Sequence, residues 1–507
     1  MVKKNALLKQ ENQQLKSKYE ALLEQVRLFR HQRFGASSEK FNPDQQDLFN
    51  EAEAIEDESW DEEADNTVTV PEIVTSSQAK KKKGRRTLPP ELPRIDVIHE
   101  LPQAQRHCPE GHELKVIGEE VSEQLDIIPA KIQVLRHIRK KYACPCCEAH
   151  VKTAEAPPQP IPKSNASPGL LAYIVTSKFL DALPLYRQSK MLQRIGVEIA
   201  RGTLAAWVIR CGELIQPLIN LLQEQLLQYD IQQMDETTLQ VLKEDGKKAQ
   251  SKSYIWVQRG GPPGQQVTLF TYDPSRAQRV ADELLTDYQG YLQTDGYAGY
   301  DGVCAKNGLR QVGCFAHARR KFDEALNAQG KNSKTGKARK GLLSIQKLYH
   351  IEKQIKDLEP EERYQWRQQH AIPVLNEIKA WLDKSLPHVP PTSLTGKALY
   401  YLNNQWDKLI RYCEDGRLDI DNNATERTIR PFVIGRRNWL FSDTVAGAKA
   451  SANLYSLIET VKAHELEPYR YLRHIFKELP RAQSLEDIEK LLPWNVDKEQ
   501  INRGWKK

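Results

Sequence analysis

Hydrophobic spacing changes its period several times along this 507-residue chain, and each change marks an expected element. Leu8, Leu15, Leu22 and Phe29 recur every seven residues, with Asn5, Asn12, Tyr19 and Val26 at the companion heptad position. Residues 1–42 therefore fit a short parallel coiled coil in which Asn12 would fix the register; a solvated amphipathic helix packed on its own protein is the alternative. Residues 43–94 lose all periodicity, acidic over 44–65 and basic over 80–86, as a disordered linker requires. Two strand-like runs, 121–128 and 132–143, flank Pro129-Ala130 and predict a β-hairpin within residues 95–156.

Beyond the proline-rich stretch 157–168 the period becomes helical. One pattern runs from 169 to 180, and a second contains Tyr186, Met191, Leu192 and Ile195 and stops at Gly196. A third opens at Arg201-Gly202-Thr203 and carries Leu204, Trp207, Val208 and Leu214. Residues 168–228 thus fit a helix-turn-helix with Arg201 and Thr203 facing DNA, or a helical linker packed on the next domain.

From residue 229 the period falls to two. Runs at 231–241, 253–258 and 267–272 predict three strands, 276–285 a helix, and 290–294 a fourth strand ending at Asp295. That order is the opening of a ribonuclease H-like α/β core, which carries acids at the middle of its first strand and the end of its fourth. Asp235 and Asp295 fall there. A short strand and helix at 309–322 complete the first part of this core (229–322), and place His317, Arg320 and Lys321 on one helical face suited to a phosphate.

Residues 323–415 read as a polar helical insertion. The second part of the core, 416–466, starts with Asp421-Asn422-Asn423, which would cap a helix carrying Glu426, Arg427 and Arg430. A strand at 438–442 and a helix at 450–464 follow, and residues 467–507 form a closing segment. The expected fold is multidomain α+β.

Composition narrows the chemistry. Hydrophobic residues make up 39% and charged residues 28%, with no apolar run long enough to span a bilayer, so a cytoplasmic chain without a membrane partner is expected. Four of the eight cysteines crowd into one segment, which in a reducing compartment favours metal over disulfides. Cys108, His112, Cys144 and Cys147 could hold one structural zinc, with Gly111 where a second cysteine is regular and Cys146 spare. Folding of this segment without metal is the alternative. Asp235, Asp295 and Glu426 are hard oxygen ligands suited to two Mg²⁺ or Mn²⁺ ions. Glu459, on a later apolar helical face, is the rival third acid.

These motifs in this order resemble the large transposase of the insertion sequence 66 family of bacterial mobile elements. The resemblance rests on Arg33-Phe34-Gly35, Ser37-Ser38-Glu39-Lys40, Gly118 to Leu125, Met234-Asp235-Glu236-Thr237 and Thr294-Asp295-Gly296-Tyr297. It continues through Cys314-Phe-Ala-His317-Ala-Arg319-Arg320, Asn422-Asn-Ala-Thr-Glu426-Arg427 and residues 457–472. It implies a DDE transposase that cuts and joins double-stranded DNA, with Asp235, Asp295 and Glu426 as its acids. His317, Arg319, Arg320, Arg427 and Arg201 would then contact DNA phosphates. A homodimer or higher oligomer, and accessory proteins of the same element, are the implied protein partners. The competing function is a catalytically inert DNA-binding regulator. A carboxylate glycosidase, which also uses paired acids, leaves the zinc segment and basic runs without a role.

Overall fold

The computed structural model describes residues 18–19, 22–29, 132–143, 151–153, 156–329 and 336–503. The chain divides into two compact units, residues 61–154 and the remainder. In the smaller unit, strand β1 (Lys141–Ala143) pairs antiparallel with β2 (Val151–Thr153), Lys141 opposite Thr153. Of the strand expected over 132–143 only its last three residues pair; 132–140 have no ladder partner among the described residues. The expected partner strand, the linker 43–94 and the zinc candidates Cys108, His112, Cys144 and Cys147 lie outside the described residues.

The larger unit begins its continuous fold with four helices: α1 (Pro168–Phe179), α2 (Leu185–Arg194), α3 (Arg201–Leu214) and α4 (Gln216–Leu227). Ser167 caps α1 by accepting from Leu170 N, and Pro168 at the first helical position costs no hydrogen bond. Gly196, at φ +84°, begins the turn between α2 and α3, a conformation glycine adopts without strain. These helices share one hydrophobic core with the sheet that follows, so residues 168–228 are not a separate globule. At Gly212 of α3 a Cβ would stand 2.6 Å from the backbone of Ala450; only glycine permits that approach.

The sheet is mixed. Strands β3 (Ile231–Lys243), β4 (Lys252–Gly260) and β5 (Val267–Asp273) form an antiparallel meander. Helix α5 (Gln278–Leu284) leads to β6 (Tyr291–Gln293), and α6 (Asp301–Asn307) to β7 (Arg310–Val312). Both β6 and β7 run parallel to β3, giving the order β5-β4-β3-β6-β7.

After α7 (Phe315–Gln329) the insertion packs α8 (Lys337–Gln354), α9 (Pro360–Trp366), α10 (Ile372–Ser385), α11 (Leu394–Asn404) and α12 (Trp406–Leu409) around their own core of Phe322, Leu342, Ile345, Leu375 and Leu399. The chain then returns through α13 (Asn423–Trp439), β8 (Ser442–Thr444) and α14 (Val445–Ala463). Here the structure corrects the expected strand at 438–442. Helix α13 continues through Pro431 to Trp439 because Phe432 and Val433 are buried, and the strand starts only at Ser442. One missing backbone bond at Pro431 is outweighed by that packing. The closing α15 (Pro468–Glu478) buries Tyr471, Leu472, Ile475 and Phe476 in the same core as α1.

Among the described residues no helix is long and apolar enough to cross a membrane.

Candidate active site

Alternation along β3 sorts its polar residues onto two faces. Met234 and Glu236 face α5 and α6, where Met234 packs with Trp256, Leu292 and Tyr300. Gln233 and Asp235 face α13. The parallel register sets Gln233 opposite Gln293 and ends there, so Asp235 lies two residues further along β3 and Asp295 two residues beyond the end of β6. Neighbouring strands lie about 4.8 Å apart. Both aspartates are half-buried.

The third acid comes from the first turn of α13, and buried hydrogen bonds fix that turn. Gln233 Nε2 donates to Gln293 Oε1 (2.8 Å), and Thr425 Oγ1 donates to Gln233 Oε1 (2.8 Å). Asn422 Nδ2 donates to the Met234 carbonyl (3.2 Å), and its backbone N–H to Cys314 Sγ (3.3 Å). Asn422 therefore ties helix to strand, and the cap is made by Asp421 Oδ1 accepting from Asn423 N (3.1 Å). Glu426 is 6% exposed.

The segment leading into α13 is held from the insertion side by Arg367, which is fully buried in a π-helical turn (Arg367–Ala371). Its guanidinium binds both oxygens of Glu352 (2.9 and 2.7 Å) and the carbonyls of Tyr412, Asp415 and Leu418 (2.8, 2.9 and 2.9 Å). Gln293 Nε2 takes the next carbonyl in reach, that of Asp419 (2.7 Å). An arginine fork can satisfy that many acceptors; a lysine cannot.

Electrostatics link the acids. Burial first, then the charges of Asp295, Glu236 and Glu426, hold the Asp235 carboxyl well above the ordinary aspartate range. Burial pushes the His317 imidazole below its ordinary value; Asp295 opposes that shift, while Arg320 and Lys321 add to it. His317 Nε2 lies 3.9 Å from Glu426 Oε1, so a neutral imidazole abuts the acids. Glu459 stands elsewhere: on α14 both its oxygens lie 2.9 Å from Lys462 Nζ, the one charged neighbour acting on it.

On the opposite face of β3, Glu236 accepts from Arg276 Nε (2.6 Å) and Tyr300 Oη (2.6 Å). The Arg276 guanidinium also lies 3.8 Å over the Tyr297 ring, two residues after Asp295. Sequence reasoning missed this brace. It also missed the signal in Gln233-Met234-Asp235 and Gln293-Thr294-Asp295, which repeat a glutamine two places before each aspartate.

The expected phosphate contacts separate by exposure. Arg201 and Thr203 are exposed at the start of α3, and Arg427 is exposed on α13. Arg320 is part-exposed, 3.6 Å from Glu324. Arg319 is turned inward, 8% exposed with its guanidinium 5.4 Å over the Tyr349 ring, which takes it off any DNA-facing surface. Arg259, unremarked in the sequence, stands opposite Gln233 on β4, within electrostatic reach of Arg427 and Asp419.

Among the described residues, no three His, Cys, Asp or Glu side chains stand close enough to enclose a metal ion by themselves. The donor chemistry still fits Mg²⁺, which binds through one or two carboxylates and completes its shell with water and phosphate oxygens. A carboxyl raised by burial and by three other carboxylates, those of Asp295, Glu236 and Glu426, is a place that a divalent ion would relieve.

Comparison with known proteins gives concordant matches. Residues 163–450, more than half of the chain, match the model described as Transposase IS66 family. Residues 105–148 match the zinc-finger binding domain of transposase IS66, and 456–494 the IS66 C-terminal element. Residues 21–97 match a model described as Transposase C of IS166 homeodomain. Uncharacterized protein y4jD of Sinorhizobium fredii (strain NBRC 101917 / NGR234) is 33% identical over 429 residues, covering 82% of this chain and 83% of the relative. Uncharacterized protein y4qI of the same strain is 31% identical over 422 residues, 81% of this chain and 77% of the relative. No solved structure matches the chain.

Proposed function

The chain belongs to the transposase IS66 family, and from that premise we propose that it cuts DNA at the ends of an insertion sequence and joins those ends to a target. Asp235, Asp295 and Glu426 are the acids of this chemistry. What supports the assignment is the hydrogen-bond chain Gln293–Gln233–Thr425, which ties together the elements that carry the three acids, with Asp295 and Glu426 both raising the Asp235 carboxyl. The strand order β5-β4-β3-β6-β7, with parallel β6 and β7, supports a ribonuclease H-like core.

Two Mg²⁺ or Mn²⁺ ions bound there would supply the activation of a water or DNA 3′-hydroxyl and the neutralisation of the leaving oxygen. The chain's own residues hold and orient. Gln233, Gln293 and Thr425 keep the three acids in register, and His317, neutral beside Glu426, can donate one hydrogen bond to a phosphate oxygen. Arg427, Arg320 and the exposed Arg201 hold the DNA backbone. Exposed Tyr19, Leu22 and Val26 at heptad positions support pairing with a second copy. The match over 105–148 supports one structural zinc on Cys108, His112, Cys144 and Cys147. A Cys144→Ser, Cys147→Ser protein that retained a full zinc equivalent would contradict it.

The test is nicking and joining of duplexes carrying the ends of the encoding element, by the full chain with Mg²⁺. Asp235→Asn and Asp295→Asn should each lower the rate on the order of a hundred- to a thousand-fold or more, with DNA binding kept. Undiminished joining in both variants removes the site. Binding without cleavage by the unmodified chain favours an inert regulator.

A further inference from the structure

The turn that closes α13 departs from its surroundings in two ways. Leu440 has φ +67°, a left-handed conformation that branched side chains seldom take, and it is 64% exposed. Phe441 beside it is 41% exposed. The turn is nonetheless firmly held. Leu440 N donates to the Arg436 carbonyl (2.6 Å) and Phe441 N to the Trp439 carbonyl (2.9 Å). The Trp439 ring packs 5.7 Å from Phe432, and Asn438 Nδ2 donates to the Ala182 carbonyl (3.0 Å) in the loop between α1 and α2. A strained leucine where glycine would relax, kept rigid with its side chain in water, asks for an apolar partner.

The same helix says which partner. Arg427, Arg430 and Arg437 follow at spacings of three and seven, so they form one stripe on α13 that starts beside Glu426. Arg427 and Arg437 are exposed. A row of guanidinium groups fits a phosphate backbone, and the apolar surface a duplex can offer beside its phosphates is the face of an unstacked base.

We propose that Leu440 and Phe441 form a wedge that enters between base pairs of a DNA duplex lying along the Arg427–Arg430–Arg437 stripe. The proposal rests on the reading that the Asp235–Asp295–Glu426 site acts on DNA, and it adds where the duplex is opened. Leu440 lies about 21 Å beyond Glu426 along the helix axis, which corresponds to about six base pairs from the phosphate at the acids.

The test uses the full chain, Ca²⁺ in place of Mg²⁺, and duplexes of the element end with one 2-aminopurine moved base by base from the cleavage point. Binding is followed by anisotropy and unstacking by fluorescence. The expected result is a several-fold fluorescence rise confined to positions about five to seven pairs from that point. Leu440→Gly, Phe441→Ala should abolish the rise while anisotropy still reports binding. Leu440→Gly alone should leave the melting temperature unchanged or higher, since it relieves the left-handed strain. Binding without a rise at any position, or a rise that survives the double variant, overturns the wedge and leaves the active-site reading intact. Loss of self-association in the double variant with the rise unchanged assigns the turn to a second copy and also overturns it. A chain that binds no such duplex overturns both.

Discussion

Gln233 Nε2 donates a 2.8 Å hydrogen bond to Gln293 Oε1 across two parallel strands, two residues before Asp235 on β3 and two before Asp295 in the bend that follows β6. Both glutamines are buried, and Thr425 completes the chain by donating to Gln233 Oε1. One amide ladder thereby joins the elements that carry all three acids. A buried amide that loses its partner is costly, so this ladder tolerates no slip of β6 or α13 against β3.

Gln233→Leu strips partners from Gln293 Oε1 and Thr425 Oγ1 in a dry place. Unfolding in urea should show a loss of about 2–4 kcal/mol. A change under half a kcal/mol would mean that the ladder contributes nothing to holding α13.

Glu426 and Glu459 separate cleanly by substitution. Glu426→Gln should lower Mg²⁺-dependent joining on the order of a hundred-fold or more, and Glu459→Gln should leave it within a few-fold. The reverse ranking would transfer the third-acid role to α14.

The raised Asp235 carboxyl makes stability depend on pH with a definite sign. Above the unfolded-state pKa the folded chain still holds its proton, so it binds more protons than the unfolded chain. Stability therefore falls as pH rises through that window, up to the folded pKa. Asp235→Asn removes this loss. In metal-free protein the variant should melt above the parent near about pH 8, and the gap should close towards about pH 3, below the unfolded-state pKa of about 3.9, where both states are protonated. A gap of equal size at both pH values refutes the electrostatic origin.

Arg367→Met leaves half-buried Glu352 with only Arg363, 3.8 Å away, as a cation and frees three carbonyls. The expected cost is about 3–5 kcal/mol. Arg367→Lys should recover little, because an ammonium cannot reach the carbonyls of Tyr412, Asp415 and Leu418 together. Near-complete recovery by lysine would show that charge alone matters.

The meander β3-β4-β5 and the strand before Asp295 were legible because period-two alternation survives there, bounded by turn sequences such as Gly-Gly-Pro-Pro-Gly. Helices α1 to α3 were legible for the matching reason at helical period. The continuation of α13 through Pro431 was not, because its cause is the burial of Phe432 and Val433 against residues far away in sequence. Arg319 and Arg320 look alike in a basic run, yet one turns inward over Tyr349 and the other outward, a choice made by the fold. Arg367 and Glu352 read as ordinary charges of a polar insertion. Their value lies in carbonyls that no side-chain pattern records. The glutamine before each aspartate could have been noticed as a repeated spacing.

The Arg367 clamp also bears on how the chain comes into being. A ribosome emits Asp235 and Asp295 before the insertion, and Glu426 only after it. The segment that delivers Glu426 is held by an arginine from inside that insertion. An unfinished chain, or one whose insertion has failed to fold, holds two acids and no anchored third. On the proposed reading, the third acid is therefore set in place only once the insertion has been made and folded.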